Sequence, residues 1–260
     1  MRKELILLLG MVLLSWATVH SSPERDILGL EPGQGKSFLY IARKLGVPIL
    51  RFSLQIQRGA SDQGRPIYQI EAHVESLTSI RFLYRVNNHF TSIVETETFI
   101  PLQFVKVIDQ DGLLARRRNY IHTLTFDAAN NRVILDKKGE KDKREILLPA
   151  GTYDPLSVFA RYYLGEGFPL AEEITLSIYD GVRFRDMIFR SKKEAVNSRL
   201  YGEVEAVRLE STTSFSSFDD KEGVIRIWYT ADRERTPILV ELDLPVGSVT
   251  FELESVERMS

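Results

Sequence analysis

The pentapeptide Gly33-Gln34-Gly35-Lys36-Ser37 has the residue types of a phosphate-binding loop, in which backbone N–H groups and a lysine surround the phosphates of a nucleotide. The complete motif has another glycine five residues before Gly35, where this chain has Leu30. The motif also lies between a strand and a helix, whereas here an irregular segment precedes it and a strand follows. We therefore interpret the match as chance and predict no nucleotide site.

Metal ligation would fall to the three histidines that lie beyond the N-terminal export signal, His73, His89 and His122, because the chain has no cysteine and its fourth histidine, His20, lies in that signal. No two of these histidines have the spacing of metal ligands, so no metal site is predicted. Strand alternation places His73 and His89 on solvent-facing positions. His122 shares a strand face with Tyr120 and Phe126, and we expect it to be either a hydrogen-bonded core residue or a ligand contact.

Four acidic residues stand in distinctive contexts: Asp154, Asp180, Asp232 and Glu234. Glycoside hydrolysis requires a pair of carboxylates at one site. Asp154 instead precedes a helix that it can cap, and Asp180 is in a turn dipeptide. Asp232 can bond within its own hairpin or pair with Arg235. Because no serine-hydrolase or zinc-protease motif is present either, we predict no catalytic residue and no enzymatic activity.

A run of three arginines, Arg116-Arg117-Arg118, has the charge to bind phosphate or lipopolysaccharide. In a strand, however, Arg117 points away from its two neighbours, so only part of the cluster meets one ligand. We favour the interpretation that these charges protect an exposed strand edge from aggregation.

Most of the chain alternates apolar and polar residues with a period of two, which is typical of half-buried strands. The turn dipeptides Asp111-Gly112, Asp180-Gly181 and Glu222-Gly223 join several of these segments and favour antiparallel pairing. The charge run from Lys137 to Arg144 is interpreted as a solvated hairpin tip. We predict strands at 52–57, 68–75, 90–96, 102–109, 113–119, 120–127, 132–136, 173–179, 182–190, 203–217, 223–230, 237–244 and 248–254.

One segment, from Asp154 to Gly165, has helical features. It begins with an N-cap residue and a proline at the first helical position, and it ends at a glycine. Its apolar residues extend beyond a single stripe, so we expect the helix to be covered on more than one side. These residues are Leu156, Val158, Phe159, Ala160, Tyr162 and Tyr163.

A second helix is predicted at 77–86, where Ile80, Leu83 and Tyr84 have helical spacing. The predicted fold class is therefore all-β with one or two helices. We expect a strongly curved antiparallel sheet, or incomplete β-barrel, with a helix on its concave side.

The N-terminus has the order of an export signal: Arg2 and Lys3, an apolar run from Leu5 to Leu14, and small residues at Val19-His20-Ser21. The apolar run is shorter than the roughly twenty residues that span a bilayer, so we expect cleavage and a periplasmic product. The predicted organisation is a signal peptide at 1–21, a flexible leader at 22–36 and a single curved-sheet domain at 37–260.

Composition narrows the function classes further. A formal net charge of −2 gives no bulk attraction to nucleic acid. The absence of cysteine excludes disulfides and thiol catalysis. We predict no cofactor.

An ordered set of short motifs spans most of the mature chain and resembles the exported bacterial family "domain of unknown function 3108". The resemblance implies a likeness in architecture to the periplasmic lipoprotein carriers (Lol-type half-barrels), whose curved sheet wraps helices and shelters acyl chains. It implies no catalytic residues. The matching motifs are Ala72-x-x-x-Ser76 leading into Tyr84, Thr98-x-x-Pro101, Thr125-Phe126-Asp127, Asp154-Pro155-Leu156-Ser157, Ile178-Tyr179-Asp180-Gly181, Ile227-Trp228-Tyr229-Thr230-x-Asp232-x-x-Arg235-x-Pro237 and Val246-Gly247-Ser248.

We therefore predict a non-enzymatic periplasmic binder of a lipid or other apolar small molecule, with transient membrane contact as one way of exchanging it. The alternative is an envelope assembly module with a fully packed core that binds a protein or polysaccharide, and an envelope hydrolase ranks last. The candidate groove consists of helix residues and the strand residues that face them: Phe159, Tyr162, Tyr163, Tyr120, His122 and Phe126.

Overall fold

The computed structural model describes residues 30–113, 117–165, 167, 170, 172–215, 221–244 and 247–260. The predicted signal peptide, most of the predicted leader and Arg116 lie outside these residues. The described part of the chain contains fourteen strands, one α-helix and one short 3-10 helix. The strands are β1 (Gly35–Lys44), β2 (Val47–Ala60), β3 (Pro66–Ser76), β4 (Arg85–Glu95), β5 (Pro101–Asp111), β6 (Arg118–Asp127), β7 (Arg132–Lys137), β8 (Arg144–Leu147), β9 (Glu173–Tyr179), β10 (Phe184–Ser198), β11 (Gly202–Phe215), β12 (Lys221–Thr230), β13 (Pro237–Leu244) and β14 (Gly247–Met259).

All fourteen strands belong to one antiparallel sheet with the order β8-β7-β6-β5-β4-β3-β2-β1-β14-β13-β12-β11-β10-β9. Almost every strand pairs with its neighbours in sequence, as hairpin-length connections favour. The exception is at the centre, where the first strand pairs with the last: Phe38 of β1 lies opposite Val256 of β14. The two free edges, β8 and β9, are joined by a single connection, and the sheet does not close. The predicted fold class is confirmed.

The helix, α1 (Pro155–Leu164), lies in this connection between the two free edges. Just before it, Tyr153 pairs in parallel with Ile178 of β9 through two backbone hydrogen bonds of 2.8 Å. The chain that leaves β8 therefore reaches the far edge of the sheet before the helix begins. The two edges come this close because the sheet is curved. As a result, Tyr179 at the end of β9 packs on Phe104 and Leu124 from the opposite half of the sheet.

The concave side of the sheet holds the core, and α1 is part of it. Tyr163 packs edge-on against Phe38 of β1, with ring centroids 5.6 Å apart. Tyr162 lies against Tyr229 of β12, at 4.4 Å. Aliphatic and aromatic residues of β1, β2, β3 and β14 complete the main cluster. The helix is therefore covered on more than one side, as its apolar residues predicted.

Both ends of α1 are held by hydrogen bonds. Asp154 is fully buried and accepts bonds from the backbone N–H groups of Leu156 (2.7 Å) and Ser157 (3.0 Å), as a cap should. Its other oxygen accepts a bond of 2.6 Å from the hydroxyl of Ser92 on β4. At the C-terminus, the guanidinium of Arg235 from the β12–β13 turn donates to the carbonyl of Gly165. The helix is thus attached to both halves of the sheet.

The predicted helix at 77–86 is wrong. Single hydrogen-bonded turns occupy this segment, and β4 begins at Arg85. The Ser76 hydroxyl donates to the Tyr84 carbonyl and accepts from the Val86 N–H, which closes the turn. Phe82 is 68% exposed, and Ile80 and Leu83 are only partly buried, so the segment lacks the fully buried apolar face that would stabilise a short helix.

Part of the predicted strand at 113–119, residues 114–116, lies outside the described residues. Of the rest, Leu113 and Arg117 are not in a strand, and β6 begins at Arg118, after the turn at Asp111-Gly112. Gly112 has a φ of +133°, and a Cβ there would lie 2.6 Å from the carbonyl oxygen of Leu83. The structure adds the short edge strand β8, beside the predicted charged hairpin tip. It also begins β1 at Gly35, two residues before the expected domain start, and buries Leu30 in the core.

Replacing Asp154 with Ala removes the acceptor for two backbone N–H groups of α1. At pH 4 we expect the free energy of unfolding to fall by about 1–2 kcal/mol. Asp154→Asn is the matched control, because its amide oxygen can accept the same bonds and its shape is nearly unchanged. Urea unfolding of the three proteins measures the effect. An unchanged midpoint in the Ala variant would show that the cap contributes nothing.

The same carboxyl makes stability depend on pH. Burial raises the pKa of Asp154 to about 6, although bonds from Ser92, Ser157 and Leu156 lower it. The folded protein therefore keeps a proton that the unfolded chain has released, so wild-type stability falls as pH rises. Relative to Asp154→Asn, we expect wild type to lose about 2 kcal/mol between pH 4 and pH 8. A difference between the two proteins that is constant with pH contradicts this assignment.

Candidate functional site

An apolar groove of about 280 Å³ lies between α1 and strands β9 to β12. Successive inward positions of β10 line it with Met187 and Phe189, because alternate residues of a strand face the same side. Leu209 of β11 lies opposite Ile227 of β12 and continues the same apolar surface. Phe159 of α1 forms part of the facing wall. The groove is therefore suited to an apolar chain.

Of the six predicted site residues, Phe159 lies in this groove. Its ring stacks on Tyr163 (5.6 Å) and approaches Tyr229 (6.1 Å), so the core supports it from behind. Tyr162 and Tyr163 are 2% and 0% exposed and do not line the groove. Burial raises the pKa of Tyr162 to about 12, against a smaller lowering by Arg235. These two tyrosines are core residues that hold the helix.

Tyr120 and His122 lie together but outside the groove. Their ring centroids are 4.5 Å apart, and both line an open depression of about 420 Å³ beside β7, β8 and the β9–β10 turn. Phe126 lies further along β6, next to Leu148. The structure therefore distributes the predicted site over four places: the groove, the core, the depression and the surroundings of Leu148. Neighbouring inward positions of a curved sheet face different parts of the interior.

The β9–β10 turn borders both the groove and this depression. Asp180 forms the turn, as predicted, by accepting bonds of 2.8 Å from the N–H groups of Val182 and Arg183. Its second oxygen pairs with Arg185 at 3.2 Å. Gly181 has a φ of +82°, and a Cβ there would lie 2.9 Å from a methyl group of Leu124 on β6. This close approach seats the turn on the opposite half of the sheet.

One end of the groove is polar, because Asp180 and Arg185 line it there with side chains only 16% and 15% exposed. Lys106 of β5 does not itself line the groove but lies beside this turn, because it is paired in register with His122, which lines the neighbouring depression together with Gly181. We call Asp180 and Arg185, with Lys106 beside them, the polar end of the groove. The rest of the lining is apolar apart from Thr213 and the Tyr229 ring.

Positive charge exceeds negative charge at the polar end. Burial raises the pKa of Asp180, but the charge of Lys106, the N–H groups of Arg183 and Val182, and Arg185 together lower it below its usual value. Burial lowers the pKa of Lys106; Asp180 opposes this shift, and Arg185 and Arg118 add to it. Lysine and arginine therefore outnumber the one carboxylate that lines the groove.

Next to Lys106 in the sheet register lies His122, and Lys137 follows on β7. Burial lowers the pKa of His122, with further lowering by Lys137 and Lys106. The buried Nδ1 of His122 has no hydrogen-bond partner among the described residues. Lys137 is paired with Glu140 at 3.4 Å.

Several of these features have no signal in the linear sequence. Strand alternation predicts the inward positions of β10, and it predicts that Lys106 faces inward between buried Phe104 and Ile108. It does not predict which strands meet across the interior. His73 and His89, predicted as separate surface residues, stack at 3.9 Å because β3 and β4 pair in that register.

The structure also shows what the two remaining acidic residues, Asp232 and Glu234, contact. Asp232 bonds within its hairpin, accepting from Thr230 Oγ1 (2.7 Å) and from the N–H of Arg235 (3.1 Å), whereas the Arg235 guanidinium reaches α1 instead. Glu234 pairs with Lys36 beside an open polar depression of about 820 Å³. Within the described ranges, no group of three or more His, Cys, Asp or Glu side chains is arranged to hold a metal ion.

No helix in the described part of the chain is both long enough and apolar enough to cross a membrane. No curated protein matches the chain.

Two solved structures are similar in fold. The crystal structure of a β-barrel-like protein of a domain of unknown function (DUF1849) from Brucella abortus matches with a TM-score of 0.54 and 10% identity. The match covers 88% of this chain and 100% of that one. A hypothetical protein from Chlamydia trachomatis matches with a TM-score of 0.33 and 11% identity, over 90% of each chain. The Brucella structure supports a β-barrel-like fold and carries no information on activity.

The family profile described as "Protein of unknown function (DUF3108)" matches residues 39–254, which include every strand from β2 to β13 and α1. The resemblance to this family that was drawn from the ordered motifs is thereby confirmed, whereas the implied likeness to the lipoprotein carriers stays a prediction. The chain belongs to the DUF3108 family of proteins of unknown function.

Proposed function

We propose that this protein is a non-enzymatic, exported binding protein that holds a lipid or other apolar ligand in the groove between α1 and β9–β12, and that carries it within the cell envelope. The observation that supports this most directly is the groove itself, an apolar space beside a packed core. Its volume of about 280 Å³ is near the lower limit of ligand pockets, about 300–1,000 Å³. One acyl chain, or a segment of one, suits this space better than a bulky ligand.

The energetics of such binding favour exchange with a membrane. A chain that loses about 200 Å² of apolar surface to the groove gains about 5 kcal/mol at 25 cal/mol per Å². A single acyl chain partitions into a bilayer with a constant of about 10⁴ M⁻¹, which corresponds to a similar free energy. Transfer between the two is therefore reversible, as a carrier with transient membrane contact requires.

An assembly module is the second candidate, and the open edges of the sheet favour it. The edge strand β8 has only four residues, and its Leu147 is 78% exposed. An edge with unpaired backbone groups can accept a strand from an envelope protein. In this case the groove would stay unfilled or be a packing defect, so a ligand-binding measurement separates the two candidates.

Export is the first testable part of the proposal. We expect the chain to lose its first 21 residues when it is secreted, because the order of charged, apolar and small residues from Met1 to Ser21 suits a signal peptidase. Intact mass of protein from the periplasmic fraction measures the cleavage. A full-length product in the membrane fraction would instead identify the segment as an anchor.

Ligand binding is the second testable part of the proposal. The neutral fluorophore N-phenylnaphthylamine should bind the folded protein saturably and be displaced by fatty acid. Phe159→Trp should weaken this binding at least fivefold, because the larger ring occupies groove space without introducing charge. Phe82→Trp, on an exposed turn away from the groove, is the matched control and should bind as wild type does.

Stability of each variant is checked by urea unfolding, so that a loss of binding is not confused with a loss of structure. If wild type and both variants are equally stable and none binds the fluorophore, the groove does not accept apolar ligands. The carrier proposal would then be replaced by the assembly module.

A further inference from the structure

We propose that the apolar ligand carries an anionic head group, which Lys106 binds at the polar end of the groove. The ligand class is then a single-chain lipid that ends in a carboxylate or a phosphate monoester. This inference rests on the proposed function and specifies the chemistry of its ligand.

The position of Lys106 is set by the alternation of β5. Its neighbours on the same face, Phe104 and Ile108, are 1% and 5% exposed, so the lysine side chain also projects toward the interior. Within the described residues, no carboxylate lies within ion-pair distance of its ammonium group. A half-buried cation with no ion pair is unfavourable, and an anion bound beside it offsets that desolvation.

The nearby carboxylate is already engaged. Asp180 uses one oxygen to accept the N–H groups of Val182 and Arg183 and the other to pair with Arg185. It therefore orders the turn and neutralises the arginine, while it attracts Lys106 only from a distance. An incoming anion meets net positive charge at this end of an otherwise apolar groove.

A second polar group, which lies beside Lys106 but in the neighbouring depression, lacks a partner. His122 lies opposite Lys106 in the register of β5 and β6, and its buried Nδ1 has no hydrogen-bond partner among the described residues. His122 lines this depression together with Gly181 and Val182, so His122 and its neighbour Lys106 both lie beside the β9–β10 turn that carries Asp180. A neutral imidazole can donate one hydrogen bond to a carboxylate or phosphate oxygen.

The test compares cis-parinaric acid, a fluorescent fatty acid, with its neutral methyl ester. Wild type should bind the acid at least tenfold more tightly than the ester, because the acyl chain is the same and only the acid has a charge for Lys106. Lys106→Gln should remove this preference by weakening acid binding about tenfold with ester binding unchanged. Lys106→Arg, which keeps the charge, should retain the preference.

Lys192→Gln is the control for a general loss of positive charge, since Lys192 is exposed on β10 and pairs with Glu194 at 3.6 Å. It should bind both probes as wild type does. Urea midpoints of all variants establish that they are folded. Displacement of the bound acid by oleate and by lysophosphatidic acid then distinguishes a carboxylate ligand from a phosphate ligand, and zwitterionic lysophosphatidylcholine should displace it weakly.

Equal binding of acid and ester by wild type, or an unchanged preference in Lys106→Gln, overturns the anionic head group and leaves the apolar groove intact. Failure of wild type to bind either probe overturns the proposed function together with this inference. The two failures are therefore distinguishable in one titration series.

Discussion

The connection between β8 and β9 constrains the whole structure, because these strands are opposite edges of one fourteen-stranded sheet. A chain that crosses the interior must satisfy its backbone polar groups without water, and a helix does so internally except at its ends. Asp154 with Ser92 satisfies the first end, and Arg235 contributes at the last. The curvature of the sheet brings its two edges close enough to be joined through the interior, and the connection that joins them buries α1.

The position of α1 decides where space remains in the interior. Its tyrosines fill the region in front of β1 and β12, where Tyr162 and Tyr163 pack on Tyr229 and Phe38. The first turns of the helix, with Pro155, Val158 and Phe159, face β9 to β12, and the apolar groove lies there. The same helix therefore fills the main core and forms one wall of the candidate site.

The β9–β10 turn links this site to the other half of the sheet. Its Asp180 pairs with Arg185 and attracts Lys106 from β5, while Gly181 lets the turn approach Leu124 closely. Charge and apolar surface thus meet at one end of the groove, an arrangement that suits amphipathic ligands. The DUF3108 family has no described activity with which to compare this arrangement, so ligand binding is the measurement that assigns one.

Local patterns in the sequence determined the strands, most turns and the cap of α1, because alternation, turn dipeptides and N-cap chemistry act over a few residues. The segment at 77–86 has helical spacing, but its apolar residues are at most partly buried before Val86, and tertiary structure made it a series of turns. Tertiary structure also decided that Tyr163 is core, that Phe159 lines a groove, and that Lys106 approaches Asp180. These outcomes depend on how far the sheet curves and on which distant strands face one another, and no local pattern contains that information.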